Sequence, residues 1–423
     1  MKPLEGITVL DFTQAYNGPY GTMNLADNGA RVIKIERPFG GDQSRYWGPH
    51  PVKEIRETLV NNGTSAYYAI YNRNKESVAV DLGESEGKEI ILKLYAKVDV
   101  VFENFKYGTM EKLGIDYEVA KEINPNIIFV SASGYGQNGP LARNTAYDNV
   151  IECMCGYTET MGYPDRMPLR SGASVGDSYT GLTAFLGTVL ALYRRQLTGK
   201  GSRIDVAMLD TMFAANEYGV LPYGLLGIVQ KRTINARPYE VVPYDSYECS
   251  DGLIAAGIND ESEWPGFCKA IGMPELQDDA RFATNDLRCA NFEAFDAIVR
   301  PVIAKMSMAE AVTAFNENKV PACEVQIPLK GLNCEHFKAR DMVVEMDDPN
   351  VGKYKTFGIP IKYSKTPGEI TRPSALLGED TYSVLTELGY EKSEIDHMVE
   401  EEIVITPEAA TEYFDDEDDD DEE

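Results

Sequence analysis

Short apolar runs alternate with helical patterns along the first two hundred residues. Ser85–Ala96 carries apolar residues at helical spacing, and Thr180–Leu197 is apolar on most sides, which predicts a long buried helix. Strand–helix alternation at this spacing predicts an α/β fold with a parallel, doubly wound sheet. The predicted strands are Ile7–Phe12, Arg31–Glu36, Val78–Leu82, Val98–Phe102, Ile127–Ser131 and Ser202–Ala207.

The rhythm changes after about residue 221. Tyr244–Ile258 predicts a strand pair that turns at Ser250–Gly252, and Asn291–Glu317 has a helical pattern. Further along, Tyr354–Tyr363 is strand-like and Asp380–Leu388 is helical. The predicted domains are a large domain over 1–205, a linker over 206–221, a small α+β domain over 222–322, a return to the large domain over 323–405, and an acidic disordered tail over 406–423.

Composition and charge limit the possible partners. Apolar residues make up 43% of the 423 residues, which is enough for a sizeable core, and no apolar stretch is long enough to cross a bilayer. The net charge is -28, and an acidic surface repels nucleic acid and anionic lipid. The first residues contain no apolar leader-like stretch. We therefore expect a cytoplasmic protein with no nucleic-acid partner and no membrane partner.

Cysteine and histidine give no sign of a metal site. The seven cysteines include no C-x-x-C pair, which is typical of reduced thiols in a reducing compartment. The three histidines, His50, His336 and His397, lie in no metal-binding motif. We expect no bound metal, and we expect carboxylates to carry the chemistry.

Gly134–Gly139 matches the dinucleotide-binding fingerprint and follows a predicted strand. The context does not fit, because Pro140 follows instead of an apolar helix and no second strand ends in an acid about 20 residues later. The glycines are better interpreted as a loop whose backbone closely approaches another group.

Asp177 lies among glycines and small residues, just before the long apolar helix. One interpretation is a helix cap, because aspartate accepts hydrogen bonds from first-turn amides. The other is a nucleophilic carboxylate, since a helix N-terminus favours its ionised form and offers amides to an oxyanion. Both interpretations are open on local pattern alone.

Several cations lie near predicted strand ends, namely Arg37, Lys75, Lys106 and Lys112. Each alone is typical of a solvated surface. In a doubly wound sheet, however, ligands bind outside the carboxyl ends of the strands. The group as a whole therefore favours a site for a phosphorylated ligand.

These features, in this order, resemble the class III CoA-transferases, a family that includes formyl-CoA, carnitine and bile-acid CoA-transferases. The likeness covers roughly residues 3 to 400. Any one segment is weakly specific, whereas the ordered set is strongly so. The segments are Pro3–Phe12 with Gly18–Pro19, Gly29–Glu36, Asn72–Ser77, Val101–Phe105, Ser133–Pro140, Val175–Asp177, Thr198–Gly201, Arg372–Pro373 and Leu377–Glu379.

The resemblance implies a Rossmann-like large domain built from both chain ends, with the smaller α+β domain between them. It implies a homodimer of two interlocked subunits. It also implies that acyl-CoA and small carboxylic acids are substrates and that no prosthetic group is bound.

The resemblance further implies roles for individual residues. Asp177 would attack an acyl-CoA and carry anhydride and aspartyl-CoA thioester intermediates in turn. Tyr16 and Gln137 would lie near the acyl group. The implied contacts to coenzyme A are Tyr16, Arg37, Asn74, Lys75, Asn104, Phe105, Lys106, Lys112 and Tyr135.

Two alternatives stay open. The related α-methylacyl-CoA racemases have a histidine before the aspartate where this chain reads Tyr147–Asp148, so a two-base racemase would lack one partner. A CoA-binding module without catalysis could dispense with Asp177. The identity of the exchanged acids is not predicted.

Overall fold

A computed structural model describes residues 1–47, 64–229, 232, 241–349 and 351–410. The chain divides into two compact units. Unit 1 comprises residues 1–157, 171–217 and 338 onward, and unit 2 comprises residues 158–170 and 218–337. Unit 1 therefore draws on both ends of the chain. The sequence placed the small domain at 222–322, a narrower span than unit 2.

A seven-stranded sheet is the centre of unit 1. Its order is β12-β3-β2-β1-β4-β5-β6, and only β12 pairs antiparallel among these described strands. This confirms the predicted parallel α/β sheet, and the order reverses between β1 and β4, as in doubly wound folds. The strands are β1 Thr8–Asp11, β2 Arg31–Glu36, β3 Lys75–Val80, β4 Val100–Glu103, β5 Ile128–Ser133, β6 Ser202–Ala207 and β12 Val404–Ile405.

Apolar side chains cover both faces of this sheet. Leu10 belongs to the core on one face, together with Ile33 and Val101, whereas its neighbour Val9 belongs to the core on the other face. The alternation follows from the two-residue period of a strand, and a parallel sheet needs helices on both sides. The helices of this part of the chain are α1 Asn17–Asp27, α2 Ala66–Tyr71, α3 Ser85–Tyr95, α4 Thr109–Leu113, α5 Tyr117–Ile123, α6 Asp148–Met154, α7 Val175–Thr198 and α8 Met208–Ala215.

The long helix α7 begins five residues earlier than predicted and is not buried all round. Small residues such as Gly181 and Ala184 form its buried face. Its other side carries large apolar residues that are 41% to 68% exposed and recur at helical spacing. We call this row the apolar stripe; its members are Tyr179, Leu182, Leu186, Leu190, Tyr193 and Leu197.

Unit 2 has its own core, in which the rings of Phe267, Phe295 and Phe315 pack together. Its sheet is antiparallel, and Cys249 pairs with Gly252 across the turn, which confirms the predicted hairpin. The sheet contains β7 Tyr244–Cys249, β8 Gly252–Gly257 and β9 Ala322–Glu324. The helices are α9 Glu217–Leu226, α10 Trp264–Ala270, α11 Asn285–Ala290, α12 Phe292–Ile303, α13 Met308–Glu317, α14 Pro328–Leu332 and α15 Glu335–Ala339.

The last part of the chain returns to unit 1 with a two-stranded hairpin and two helices. These are β10 Val343–Asp348, β11 Gly352–Phe357, α16 Thr381–Glu387 and α17 Lys392–Glu400. The strand predicted at Tyr354–Tyr363 therefore ends earlier. The predicted disorder from 406 is wrong for its first residues, since Ala410 is 7% exposed and packs on Leu377 and Ile405. Residues 411–423 lie outside the described residues. Across the described ranges, no helix combines the length and apolarity needed to span a bilayer.

Candidate active site

Asp177 is the third residue of α7. The helix begins at Val175 after Ser174, whose side chain makes no capping hydrogen bond. The cap comes from α6 instead, because Asp148 Oδ1 accepts hydrogen bonds from the N–H groups of Gly176 at 2.8 Å and of Asp177 at 3.2 Å. The interpretation of Asp177 as the helix cap is therefore wrong, and its carboxyl group is not needed for that purpose.

Three carboxyl groups meet at this end of α7. Burial raises the pKa of Asp177 to about 7, and the negative charges of Asp148 and Glu152 add to the rise. Burial also raises the pKa of Asp148 to about 6; the N–H groups of Gly176 and Asp177 oppose this rise, and the Glu152 carboxyl adds to it. A carboxylate of raised pKa is more basic and hence a stronger nucleophile than an ordinary surface carboxylate.

Two glycines let α1 and α7 cross closely. A Cβ atom on Gly181 would lie 2.4 Å from the backbone oxygen of Asn17, and a Cβ atom on Gly21 would lie 3.0 Å from the oxygen of Gly181. Any larger residue at Gly181 would push the helices apart. The close crossing brings the Tyr16 hydroxyl, at the start of α1, to 2.7 Å from Ser178 Oγ, beside Asp177.

Four tyrosines form a wall beside Asp177, which we call the tyrosine wall: Tyr16, Tyr20, Tyr67 and Tyr71. The ring centroids of Tyr16 and Tyr71 are 4.4 Å apart, and those of Tyr67 and Tyr71 are 5.2 Å apart. Burial raises the pKa of Tyr67, and the charges of Tyr16 and Asp177 raise it further. Burial also raises the pKa values of Tyr20 and Tyr71, so these three phenols keep their O–H groups at neutral pH.

Asn104 holds the loop that carries Tyr16. Its Nδ2 donates to Gln14 O and to Asn17 Oδ1, both at 2.7 Å, and its Oδ1 accepts from the Gln14 N–H at 2.8 Å. Gln14 follows β1 and Asn104 follows β4, so these hydrogen bonds join the two loops at the point where the strand order reverses. Doubly wound proteins bind ligands at this point. The loop includes Ala15 with a φ of 65°, a left-handed conformation that is costly without glycine. Asn104 therefore positions this loop.

The parallel topology gathers most of the predicted coenzyme A contacts at one edge of the sheet. Arg37 follows the carboxyl end of β2, Asn104–Lys106 follows β4, and Tyr135 and Gln137 follow β5. Arg37, Lys106 and Lys112 are exposed, as phosphate contacts must be. Phe105 and Tyr135 are partly buried.

A narrow crevice, with a cavity volume of only about 10 Å³, lies at this edge. Phe105, Lys106 and Gln137 line it together with Arg203 and Glu103. Burial raises the pKa of Glu103 to about 7. The crevice therefore brings three of the predicted residues together with a carboxyl group and a guanidinium that the sequence had not indicated.

Asn74 and Lys75 do not fit the predicted role. Lys75 is the first residue of β3, at the opposite edge of the sheet, and its ammonium is 3.1 Å from Asp11 Oδ2 and 2.8 Å from Asn72 Oδ1. Burial lowers its pKa to about 8 although Asp11 opposes this. Asn74 donates to Asp27 Oδ1 at 2.8 Å. Lys75 is buried, and the partly buried Asn74 side chain is held by Asp27 and by the backbone of Glu369 and Thr371, so in this arrangement both are already bound to other residues.

Metal ligands are not clustered here. The part of the chain that the structure describes contains no group of three or more histidine, cysteine, aspartate or glutamate side chains suited to holding a metal ion. The site consists of the partly buried Asp177 carboxyl group, two further acids, the tyrosine wall and the cations of the sheet edge. Such a set fits covalent carboxylate chemistry on an anionic ligand.

A family model described as CoA-transferase family III matches residues 4–381. The chain belongs to this family. The match includes Asp177 and every residue proposed from the sequence to bind coenzyme A, and it confirms the resemblance found in the ordered motifs.

Similar proteins agree with this assignment. Succinyl-CoA:glutarate CoA-transferase of Mus musculus is 34% identical over 401 residues, which cover 94% of this chain and 89% of that protein. Acetyl-CoA:oxalate CoA-transferase of Acetobacter aceti is 34% identical over 374 residues, which cover 88% of this chain and 92% of that protein. A solved CAIB/BAIF family protein from Brucella suis is 33% identical with a TM-score of 0.79, covering 92% of this chain and 99% of that one. The protein is a CoA-transferase.

The sequence did not single out Glu152, Tyr67 or Tyr71, and it named Asp148 only beside Tyr147. One signal was present for the acids. Asp148 and Glu152 are four residues apart in a segment that also carries Ile151, so a helix places two like charges on one face, which is unfavourable without a special reason. The two tyrosines carry no comparable signal, because only the packing of α2 on α1 brings them to Asp177.

Proposed function

We propose that Asp177 is the nucleophile of this CoA-transferase. A carboxylate oxygen of Asp177 attacks the thioester carbonyl of the donor acyl-CoA, the C–S bond breaks, and CoA thiolate leaves with the electron pair. The product is an acyl-aspartyl anhydride. The thiolate then attacks Cγ of Asp177, which releases the donor acid as carboxylate and leaves an aspartyl-CoA thioester.

The second half reverses these steps with another acid. The acceptor carboxylate attacks Cγ of the aspartyl thioester and expels CoA thiolate, giving a new anhydride. The thiolate attacks the acceptor's acyl carbon, so the acceptor leaves as acyl-CoA and the Asp177 carboxylate is restored. Every step exchanges one acyl bond for another, and no oxidant, metal or net proton transfer is required.

The observation that carries this proposal is the setting of Asp177. Its carboxyl group has a pKa of about 7 and lies in the first turn of α7, where Asp148 rather than Asp177 accepts the helix amides. The phenol groups of Tyr16 and Tyr67 lie beside it. Such donors can stabilise the oxyanion that forms in each acyl transfer.

We place coenzyme A along the carboxyl edge of the sheet as a substrate, not as a prosthetic group. Arg37, Lys106 and Lys112 would meet its phosphates, since their charges are exposed at this edge. Phe105 and Tyr135 would line its path. Tyr16 and Gln137 would lie nearer the acyl group.

We propose small dicarboxylic acids and their monothioesters as substrates. The relatives described above act, by name, on succinyl-CoA and glutarate or on acetyl-CoA and oxalate. The tyrosine wall supports this class, because phenol O–H groups can donate to the second carboxylate of such an acid. Seven free cysteines are typical of a reducing compartment and support the cytoplasm as the location.

The proposed activity is tested by incubating the protein with succinyl-CoA and a panel of dicarboxylic and monocarboxylic acids, followed by mass spectrometry of the CoA esters. We expect a new acyl-CoA in stoichiometric exchange for free succinate. Release of free CoA without a new thioester, for every acid tried, would contradict the transferase assignment. Exchange with monocarboxylic acids only would contradict the substrate class.

The pH dependence follows from the raised pKa of Asp177. Because the ionised carboxylate is the nucleophile, kcat/KM for the donor should rise with pH and level off above an apparent pKa near 7. Well below that pKa, the rate should fall roughly tenfold per pH unit. Steady-state kinetics from about pH 5.5 to 8.5 measures this. A profile that is flat over that whole range would be incompatible with the proposed nucleophile.

We propose that the protein is a homodimer and that the apolar stripe of α7 is buried between subunits. Six large apolar side chains in one exposed row are unusual for a monomer surface and typical of an interface. Replacing Leu186 and Leu190 with glutamate should convert the dimer to monomer in sedimentation experiments. Ile123→Glu, at a single exposed apolar residue that ends α5, should leave it dimeric. A monomeric wild type would overturn the proposal.

A further inference from the structure

Glu152 is the most enclosed of the three acids at the start of α7. Glu152 is 0% exposed and Asp148 is 6% exposed. They are the fifth and first residues of α6, so they lie one turn apart on the same face of the helix. Burial is the largest cause of the raised pKa of Asp148, and the Glu152 carboxyl adds to the rise. Two acidic side chains one turn apart on a helix repel each other when both are ionised, so their burial at this point needs specific partner contacts.

Asp148 and Glu152 each accept hydrogen bonds from the start of α7 or from the segment that leads into it. Asp148 Oδ1 accepts the N–H groups of Gly176 and Asp177. Glu152 Oε1 accepts the Ser171 hydroxyl, which lies 2.7 Å from Ala173 O in the segment that leads into the helix. Glu152 therefore contacts the segment before α7 and, through Asp148, the first turn that carries Asp177.

We propose that Glu152 is a positioning residue for the transfer reaction: together with Asp148, as an acid pair on one face of α6, it holds the start of α7, and its negative charge acts on the Asp177 carboxyl. The inference rests on the proposed role of Asp177 as nucleophile. It assigns a function to a buried acid that takes no part in the steps described above.

The other ionisable groups around the pair do not titrate in the range of interest. Burial raises the pKa of Tyr67 from α2, and it also raises the pKa values of Cys155 and Tyr157, which follow α6. The side chains of α8 in the apolar cluster around α6 are Met208, Leu209 and Met212, which carry no charge. The carboxyl groups of Asp148 and Asp177, with pKa values of about 6 and about 7, therefore dominate any change between pH 5 and 8 in this cluster.

The variant Glu152→Gln separates the electrostatic role from the structural one. Glutamine keeps the size of the side chain, can accept from Ser171 and can donate to Asp148, but it has no proton to lose. The negative charge of Glu152 adds to the raised pKa of Asp177, so removing this charge should lower that pKa. The midpoint of the acidic limb should fall by about half a pH unit or more, which raises the rate at pH 6 about threefold relative to wild type.

The experiment follows covalent labelling of Asp177 by succinyl-CoA and hydroxylamine as a function of pH, in wild type, Glu152→Gln and Glu152→Ala. Glu118→Gln, which replaces an exposed acid on α5, is the matched control and should keep the wild-type midpoint. Glu152→Ala removes the contacts of this side chain with Ser171 and with Asp148. We expect kcat to fall about tenfold or more with a smaller change in KM.

The outcomes are distinguishable. A lowered midpoint in Glu152→Gln with an unchanged midpoint in Glu118→Gln supports the inference. Labelling of Asp177 with the same midpoint in wild type and Glu152→Gln overturns this inference alone and leaves the nucleophile in place. Absence of any Asp177 label in wild type overturns both. If Glu152→Ala does not fold, Glu152→Gln still decides.

Discussion

Replacing Asp177 with asparagine should reduce the rate of CoA transfer by at least about 10³-fold, because the amide cannot attack a thioester and form the covalent intermediates. Asparagine keeps the shape of the side chain, so the KM for acyl-CoA should change much less than kcat. Steady-state kinetics with succinyl-CoA as donor measures both values. A variant that keeps more than about a tenth of the wild-type kcat would contradict the nucleophilic role.

The same variant should be more stable than wild type at alkaline pH, which separates loss of function from loss of fold. The pKa of Asp177 rises from 3.8 to about 7 on folding, so the folded state holds a proton that the unfolded state releases. Wild-type stability therefore falls as pH rises from about 4 to 7 through this group. Asparagine does not ionise, so the free energy of unfolding of Asp177→Asn at pH 8 should exceed that of wild type by about 2 kcal/mol. This is roughly half the value that the pKa shift of Asp177 implies, because the side chain is partly exposed and solvent screens its charge. Thermal unfolding at pH 5 and pH 8 measures it.

Gly181→Ala should have the largest effect on stability among single small substitutions at the site. The added Cβ would lie 2.4 Å from the backbone oxygen of Asn17, an atom that cannot move without shifting α1. We expect a loss of about 2–4 kcal/mol in the free energy of unfolding. The Tyr16–Ser178 contact depends on the same crossing, so kcat should fall as well. Urea unfolding and steady-state kinetics measure the two effects.

The control is another glycine of the same helix. A Cβ atom on Gly187 would meet only Ile204 Cγ2, at 3.3 Å, and that methyl group can move. Alanine also favours a helix over glycine by about 1 kcal/mol. Gly187→Ala should therefore change the free energy of unfolding by less than about 1 kcal/mol and leave kcat unchanged. Equal losses in the two variants would show that the close crossing of α1 and α7 is not what matters.

The sheet was largely predictable from the sequence, and the reason is local. β2 and β6 have the predicted bounds because each is a short β-branched run between turns, and the alternation with helices specified parallel pairing. The hairpin of unit 2 was predictable for the same reason, since Asp251–Gly252 marks its turn. The hydrophobic periods of two residues in a strand and 3.6 residues in a helix can both be recognised within a short segment of sequence.

Predictions that depended on the tertiary packing of one element against another were less reliable. The apolar pattern of α7 predicted full burial, but nothing in a pattern tells whether a second element of the same chain covers each side. Asp177 looked like a cap because Asp148, which fills that role, is 29 residues away in sequence. Lys75 looked like a surface cation because its partner Asp11 comes from another strand.

The candidate site was predictable where topology alone decides. Residues that follow parallel strands reach one edge of the sheet, which explains why Arg37 and Lys106 could be grouped from the sequence. The tyrosine wall was not predictable, because it needs the crossing of α1 and α7 at Gly21 and Gly181. The contacts of Asp148 and Glu152 with the start of α7 were not predictable either, because they join residues that are far apart in sequence.

The most direct test of the central claim is chemical trapping of the covalent intermediate. Wild-type protein is incubated with succinyl-CoA, treated with hydroxylamine or borohydride, digested and analysed by peptide mass spectrometry. We expect a hydroxamate or a reduced side chain at Asp177, formed only when acyl-CoA is present and absent in Asp177→Asn. CoA transfer in the wild type without any modification of Asp177, or with the modification on another carboxylate such as Asp148 or Glu152, would contradict it.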